Sequence, residues 1–349
     1  MKRVLVTGAT GFLGSHVVLA LRARDVRVVA FARGDTPSVD GVEVRRGDIL
    51  DRAKLSEAAA GCDGAIHCAG RVSRAPGDAE AMRVLHVGGT RAVLDACESQ
   101  GVSRVVVAST SGIVAVSEDP DAVGTEDDAV PYSLVNQWPY YRAKLWAEQE
   151  ALARSRAGFE VVAVNPSLLL GPGDTRGSST DDVRLFLEGK IAAIPSGGIS
   201  FVDARDAADA LVRALERGRG GARYLVGACN VTLRELFARL ERLSGVKSPW
   251  APLPKGATRA AGMLLERVAS ALGRPPVVDA ASLELARYYW YVDATRAEQE
   301  LGWAPRDPLA TLTDTIADLR ARGVVWPVVP PVVPGAHALH ERRALEGEA

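Results

Sequence analysis

Short, almost continuously apolar runs alternate along the chain with longer amphipathic stretches rich in alanine. The runs RVLVT (3–7), RVVAF (27–31), GAIHCA (64–69), RVVVAST (104–110) and EVVAVN (160–165) show no polar face. A strand that alternates is half exposed, whereas one that is apolar throughout is covered on both sides, so these runs predict buried parallel strands. Between them, SHVVLALRAR (15–24), LSEAAA (55–60), AMRVLHVGGTRAVLDACESQ (81–100) and YYRAKLWAEQEALARSRAG (140–158) predict crossover helices. The expected fold class is α/β, with a doubly wound parallel sheet.

From Asn165 the rhythm changes. Glycine- and proline-bearing loops (165–180 and 194–200) are followed mainly by helical patterns, which predicts a smaller, mainly helical C-terminal lobe over the carboxyl edge of the sheet. The expected division is a dinucleotide-binding core over 1–165, rejoined by 199–227, and a substrate lobe over 166–198 and 228–323. In 324–349 repeated prolines forbid regular helix and predict an extended tail.

Composition narrows the partners. The 349 residues exceed the roughly 250–300 at which single cores stop growing, in keeping with two units. With 47% apolar residues and a formal net charge of −1, nothing in the bulk electrostatics calls for nucleic acid or an anionic membrane. Cys62, Cys68, Cys97 and Cys229 are scattered, which argues against a disulfide framework and a zinc site and fits a reducing cytoplasm. The opening MKRVLVTGAT has too short an apolar run for a signal peptide, and no later run is long enough to span a bilayer.

Chemistry begins with VLVTGATGFLGSHVV (4–18). Gly8, Gly11 and Gly14 fall between strand and helix, where missing β-carbons permit a tight turn and let backbone amides approach a pyrophosphate. Here the chain resembles the extended branch of the short-chain dehydrogenase/reductase superfamily. The resemblance implies a Rossmann-type sheet and a nicotinamide dinucleotide, with Thr10, Phe12 and Leu13 joining the three glycines in the cofactor loop. Asp48 and Ile49 of GDIL resemble the family's adenine-binding pair, and Cys68, Ala69 and Gly70 of HCAG its loop under the cofactor. His67 reads as a packing or hydrogen-bonding residue. No acidic side chain ends the second strand to bind the ribose hydroxyls; Arg33 stands there, with Arg3 and Arg24 as further candidate cations, which favours NADP(H) over NAD(H).

The adjacent Tyr140 and Tyr141 both lie within helical reach of Lys144, so geometry does not choose between them. The superfamily's YxxxK motif does, since only Tyr140 satisfies it, and Pro139 suits a helix's first turn. A phenol with a pKa near 10 needs a cation such as Lys144 to act in proton transfer at neutral pH. By resemblance the lysine also hydrogen-bonds the nicotinamide ribose, and the end of the strand before it supplies a hydroxyl for the substrate oxygen. Thr110 is favoured, Ser111 is the close alternative and Ser109 is expected to be buried. HVGGT places His86 where extended members commonly carry asparagine, as a substitute hydrogen-bonding group or as a support of the helix. The resemblance further puts Pro166 and Ser167 beside the nicotinamide carboxamide; Asp206 is expected to cap a helix.

Extended members include sugar-nucleotide epimerases, dehydratases and ketone reductases. No acidic pair follows Thr110, which argues against dehydration, and LLLGP with GGISFVDARD lacks the epimerases' diphosphate ligands. Val72, Trp138 and Leu168, with Tyr141, would suit a hydrophobic or aromatic substrate. The expected function is NAD(P)H-dependent reduction of a carbonyl on such a small molecule. The alternatives are an epimerase or isomerase that retains NAD and a non-catalytic cofactor sensor. The resemblance also implies a homodimer through the fourth and fifth helices, which would bury apolar faces such as that carrying Leu145 and Leu152.

Overall fold

The computed structural model describes residues 1–34, 40–73, 76–249, 252–253 and 280–325. The proline-rich tail lies outside the described residues from 326 onward.

Seven parallel strands form the main sheet: β1 (Arg3–Thr7), β2 (Arg27–Ala32), β3 (Val42–Arg46), β4 (Gly64–His67), β5 (Arg104–Ala108), β6 (Glu160–Pro166) and, after three strands of the second lobe, β10 (Arg223–Val226). Their order is β3-β2-β1-β4-β5-β6-β10, so the side on which successive strands are added reverses across the parallel β1–β4 pair. In such a sheet the crevice at that switch point receives the ligand.

Alternate side chains explain why both faces are covered. Val4 and Val6 enter one core with Val17, Val18 and Leu21 of α1 (Phe12–Arg22) and Ala207 and Leu211 of α8 (Ala204–Arg217). Leu5 enters the other with Leu55 of α2 (Arg52–Ala59), Val93 of α4 (Gly89–Ser99) and Ala151 of α6 (Pro139–Ala153). Each fully buried side chain of this size contributes about 1.5–3 kcal/mol relative to exposure. The apolar runs are thus the strands that carry helices on both sides. β3 is not among them because it is a half-exposed edge strand, VEVRR, with its last two residues in solvent.

The stretch read as one helix from 81 to 100 is continuous but not uniform: α3 (Ala79–Arg83), a π-helical turn (Val84–Gly88) and α4 follow one another. The second lobe holds more than helices. β7 (Leu168–Leu170), β9 (Gly198–Asp203), β11 (Cys229–Thr232) and β13 (Tyr289–Trp290) make a four-stranded sheet, and β8 (Ile194–Pro195) pairs with β12 (Pro252–Leu253). Around them pack α7 (Asp181–Leu187), α9 (Leu233–Ser244), α10 (Ala280–Leu285), α11 (Thr295–Leu301) and α12 (Pro308–Ala321). A short helix α5 (Tyr132–Val135) precedes α6.

Two local expectations need correction. The cap of α8 is Asp203, whose carboxylate accepts the Arg205 amide at 2.9 Å, because the helix starts two residues earlier than the DAADA pattern suggests. Asp206 instead pairs with Arg306 at 2.8 Å. On α6, Leu145 is wholly buried in the chain's own core and so offers no face to a second copy, while Leu152 is half-buried against the core shared with α2 and α4. The exposed apolar side chain there is Trp146, with the Arg142 guanidinium 5.6 Å from its ring centre. Among the described residues no helix is long and apolar enough to cross a membrane.

Candidate active site

The loop after β1 and the loop after β4 meet at the switch point. Gly8 has φ of +71°, a conformation costly for any side chain, and a β-carbon there would fall 2.6 Å from the Ala69 nitrogen. A β-carbon on Gly14 would overlap the Gly8 carbonyl oxygen, so α1 starts hard against its own turn. Gly11, at the N-cap, leaves the first amides of α1 open, and Thr10 and Leu13 flank the turn while Phe12 is buried. Positive helix end, amides without side-chain caps and glycine clearance together make a cradle that a pyrophosphate fits.

Next along the carboxyl edge, Asp48 is exposed and accepts the Leu50 amide at 2.9 Å, while Ile49 is buried 3.2 Å beneath the place a Gly89 β-carbon would take. Arg33 follows the end of β2 and is exposed; the register that pairs Ala32 with Arg46 brings Arg46 to the same edge. Arg3 and Arg24 are not near. Arg3 begins β1 at the opposite, amino edge and pairs with Glu43 at 2.7 Å, and Arg24 pairs with Asp209.

His67 bridges two hydroxyls, Thr7 Oγ1 at 2.7 Å from Nδ1 and Thr90 Oγ1 at 3.1 Å from Nε2, and burial pulls its pKa down to about 3. It is a buried connector between β1, β4 and α4. Cys68 is pushed up to about 12 by burial and stays a thiol. His86 sits in the π-helical turn with Nε2 2.9 Å from the Arg71 carbonyl. A carbonyl only accepts, so Nε2 carries the proton and Nδ1 is bare. Burial first and the neighbouring Lys144 second lower this ring's pKa to about 3. A Gly70 β-carbon would lie 2.8 Å from His86 Cε1 and 3.8 Å from Lys144 Nζ, so glycine is what lets the two groups approach the same place.

Pro139 occupies the first turn of α6 and presents Tyr140, Lys144 and, one turn on, Glu148 along one face. Tyr140 has the Thr110 side chain beside it and lies edge-on to His86, ring centres 5.6 Å apart. Burial raises its pKa above the ordinary phenol value, Tyr141 adds to this and the nearby Thr110 hydroxyl opposes it. Lys144 Nζ donates to the Ala108 carbonyl at 2.7 Å, and burial lowers its pKa to about 8 against the raising influence of Cys68 and Glu148. Thr110 is extended and caps the turn Ser111–Ile113, in which Ser111 is buried.

Tyr141 points elsewhere, stacked on Trp290 at 5.0 Å and edge-on to Trp138 at 5.9 Å. Trp138, Tyr288 and Trp290 are nearly buried and form an aromatic cluster beside Gly112, whose missing β-carbon makes room for the Tyr141 ring. Leu168 packs instead with the second lobe's own core, and Val72 is 44% exposed just after the Arg71 carbonyl held by His86. Pro166 ends β6. Ser167 follows it with its amide on the Val226 carbonyl at 2.9 Å, and its buried hydroxyl finds no hydrogen-bond partner among the described residues. That orphaned donor, with the glycine cradle, fits a site that awaits a polar ligand.

Two buried polar residues, Glu148 and Asn165, and the partly buried Arg223 escape a reading by motif. Glu148 receives the Asn165 amide at 2.6 Å and the Arg223 guanidinium at 2.8 Å. The inward stripe of α6, in which Ala147 and Ala151 flank it, is the signal that could have placed Glu148 inside; Arg223 joins from far along the chain and left none.

Compared with known proteins, residues 4–227 match the NAD dependent epimerase/dehydratase family. The chain is 32% identical over 92% of its length to "Sterol demethylase protein B" of Methylococcus capsulatus, covering 99% of that protein. It is 30% identical over 92% of its length to "Putative dihydroflavonol 4-reductase" of Synechocystis sp., covering 95% of that protein. Among solved structures, that of gox2253 superposes with a TM-score of 0.80 at 28% identity, over 93% of this chain and 100% of that one.

Proposed function

Because this chain belongs to the NAD-dependent epimerase/dehydratase family, and so to the extended short-chain dehydrogenases/reductases, we propose that it reduces a carbonyl on a hydrophobic or aromatic small molecule with NADP(H). The observation that carries the reading is the placing of Tyr140 beside Thr110, one helical turn from Lys144.

Gly8, Gly11, Gly14 and the open amides of α1 would hold the pyrophosphate, Asp48 and Ile49 the adenine, and Arg33 a 2′-phosphate. Cys68 to Gly70, Pro166 and Ser167 would line the nicotinamide end. The reduced nicotinamide, when bound, supplies the hydride to the carbonyl carbon. Tyr140 gives its Oη proton to the substrate oxygen as negative charge develops there, and Thr110 holds that oxygen by a second hydrogen bond. Lys144 favours the phenolate left on Tyr140 and would hold the ribose. The aromatic cluster of Trp138, Tyr141 and Trp290 supports an apolar substrate, since a planar ring gains from stacking.

Denaturing the purified protein, identifying any released nucleotide by mass spectrometry, and titrating NADPH and NADH in parallel tests this. Binding and release of NADPH, followed by its oxidation in a screen of aryl ketones, is the expected result. Tightly retained NAD that no added ketone oxidises or reduces would instead point to an internal redox cycle, as in an epimerase.

A further inference from the structure

Beneath Tyr140 and Lys144 lies a carboxylate that the proposed reaction does not use. Glu148 stands four residues beyond Lys144 on α6, hence on the same face, and its side chain is 0% exposed. A buried carboxylate is strongly disfavoured unless it is paired and hydrogen-bonded. Glu148 is met by Asn165 Nδ2 at 2.6 Å and by the Arg223 guanidinium at 2.8 Å. Asn165 Nδ2 also reaches the Thr110 carbonyl at 3.1 Å, and since a carbonyl only accepts, that contact fixes which end of the amide is the donor. Glu148 therefore faces donors, the set that suits a carboxylate rather than a carboxylic acid.

These bonds converge on the carboxyl end of β5. The Ala108 carbonyl is held by Lys144 and the Thr110 carbonyl by Asn165, itself bonded to Glu148. We propose that Glu148 is a positioning residue: with Asn165 and Arg223 it fastens the carboxyl end of β5 to α6, so that Thr110, Tyr140 and Lys144 keep their mutual places. The proposal rests on the reading of Tyr140, Lys144 and Thr110 as the proton-handling groups.

It has an electrostatic consequence. The groups that face Lys144 are Cys68 and His67 from the β4 end, His86 from the π-helical turn, and Glu148 from its own helix. Burial keeps Cys68 a thiol up to about 12 and both rings neutral down to about 3. Burial pushes the Glu148 carboxyl above the usual carboxylate range, and Arg223, Asn165 and Lys144 oppose it. As the carboxylate, Glu148 is the anion that faces Lys144 among the described residues, and it supports the ammonium form against a burial that has already brought Lys144 down to about 8.

The test needs no substrate. The full chain, labelled with ¹³C,¹⁵N-lysine, is titrated by NMR, and the Lys144 signal is identified by its absence in Lys144→Arg; with six lysines in the sequence the spectrum is readable. In Glu148→Gln the Lys144 titration is expected to fall by at least about one unit, tenfold in the ratio of ammonium to amine. An unchanged Lys144 titration in folded Glu148→Gln overturns the proposal. If Glu148→Gln does not fold, Glu148→Asp, which keeps the charge but withdraws it by one methylene, is expected to give a smaller fall, and no fall overturns the proposal equally. Tyr140→Phe, assayed separately for NADPH oxidation, reports on the reductase reading alone, so the two can fail independently.

Discussion

The side chains of Tyr140 and Thr110 lie beside each other, while the neighbouring Tyr141 ring stacks on Trp290. Two adjacent tyrosines of one helix therefore have different surroundings, one polar and facing Lys144, the other aromatic. Tyr140→Phe removes the proton and is expected to lower turnover about 10²–10⁴-fold, the range for a general acid, with NADPH affinity changed only a few-fold. Tyr141→Phe keeps the stacked ring and should retain activity. Initial rates of NADPH oxidation with an aryl ketone, beside fluorescence titration of NADPH, measure both; comparable losses in the two variants would defeat the assignment of Tyr140.

The glycine cradle makes graded predictions. Gly14→Ala drives a methyl into the Gly8 carbonyl, and Gly8→Ala adds the strain of φ +71° to a contact with backbone at Ala69. Backbone cannot step aside as a flexible side chain can, so each should cost about 1–3 kcal/mol of stability and weaken NADPH at least about tenfold. Gly101, where nothing lies within 4 Å but φ is +73°, isolates the conformational part alone. Gly101→Ala should lose about 1 kcal/mol in urea unfolding and leave NADPH binding as it was.

How legible this was in the sequence depends on whether the signal is local. Strands covered on both faces announce themselves as apolar runs, and the glycine turn and the Tyr140–Lys144 spacing lie within a few residues. β3 carries EVRR on a half-exposed edge and hides its period. The second lobe's strands are 2–6 residues long, too short for periodicity to separate strand from loop. The Glu148, Asn165 and Arg223 cluster joins α6, β6 and β10, a relation that a single sequence records only as three scattered polar residues. Asp203 rather than Asp206 caps α8 because two acids stand within a turn of each other and only the backbone conformation decides between them.

Gly70 and His86 should be energetically coupled. A methyl on Gly70 would fall 2.8 Å from His86 Cε1, and that ring is anchored by its bond to the Arg71 carbonyl. Gly70→Ala alone should destabilise by about 1–3 kcal/mol through overpacking. In a His86→Ala background the added methyl enters vacated space, so its cost should fall by at least about 1 kcal/mol in a double-mutant cycle of urea unfolding. Additive losses would show that the two side chains do not share the space above the loop.

Two buried histidines predict acid sensitivity above the carboxylate range. His67 and His86 titrate near 3 in the folded chain, both chiefly through burial, against an ordinary 6.5. Between those values the unfolded chain binds the more protons, so stability is complete above about 6.5 and is lost as pH falls toward 3. By pH 5 each ring should have cost about 2 kcal/mol. His86→Asn, which removes one titrating ring, should roughly halve the loss measured by urea unfolding between pH 7 and pH 5, and an unchanged loss would exclude His86 as a source.

Arg33 decides the cofactor prediction. It follows the last residue of β2, and Arg46, through the pairing of Ala32 with Arg46, stands at the same edge. A guanidinium there binds a 2′-phosphate by charge and by paired hydrogen bonds, neither of which a bare ribose hydroxyl repays. Arg33→Ala should therefore weaken NADPH about tenfold and change NADH less than about twofold, and Arg33→Asp, which offers an acceptor to the hydroxyls and repels the phosphate, should reverse the preference. Parallel Kd titrations of the two cofactors read this directly. Equal losses for NADPH and NADH would place Arg33 outside the phosphate's reach and leave the preference to other side chains of that edge.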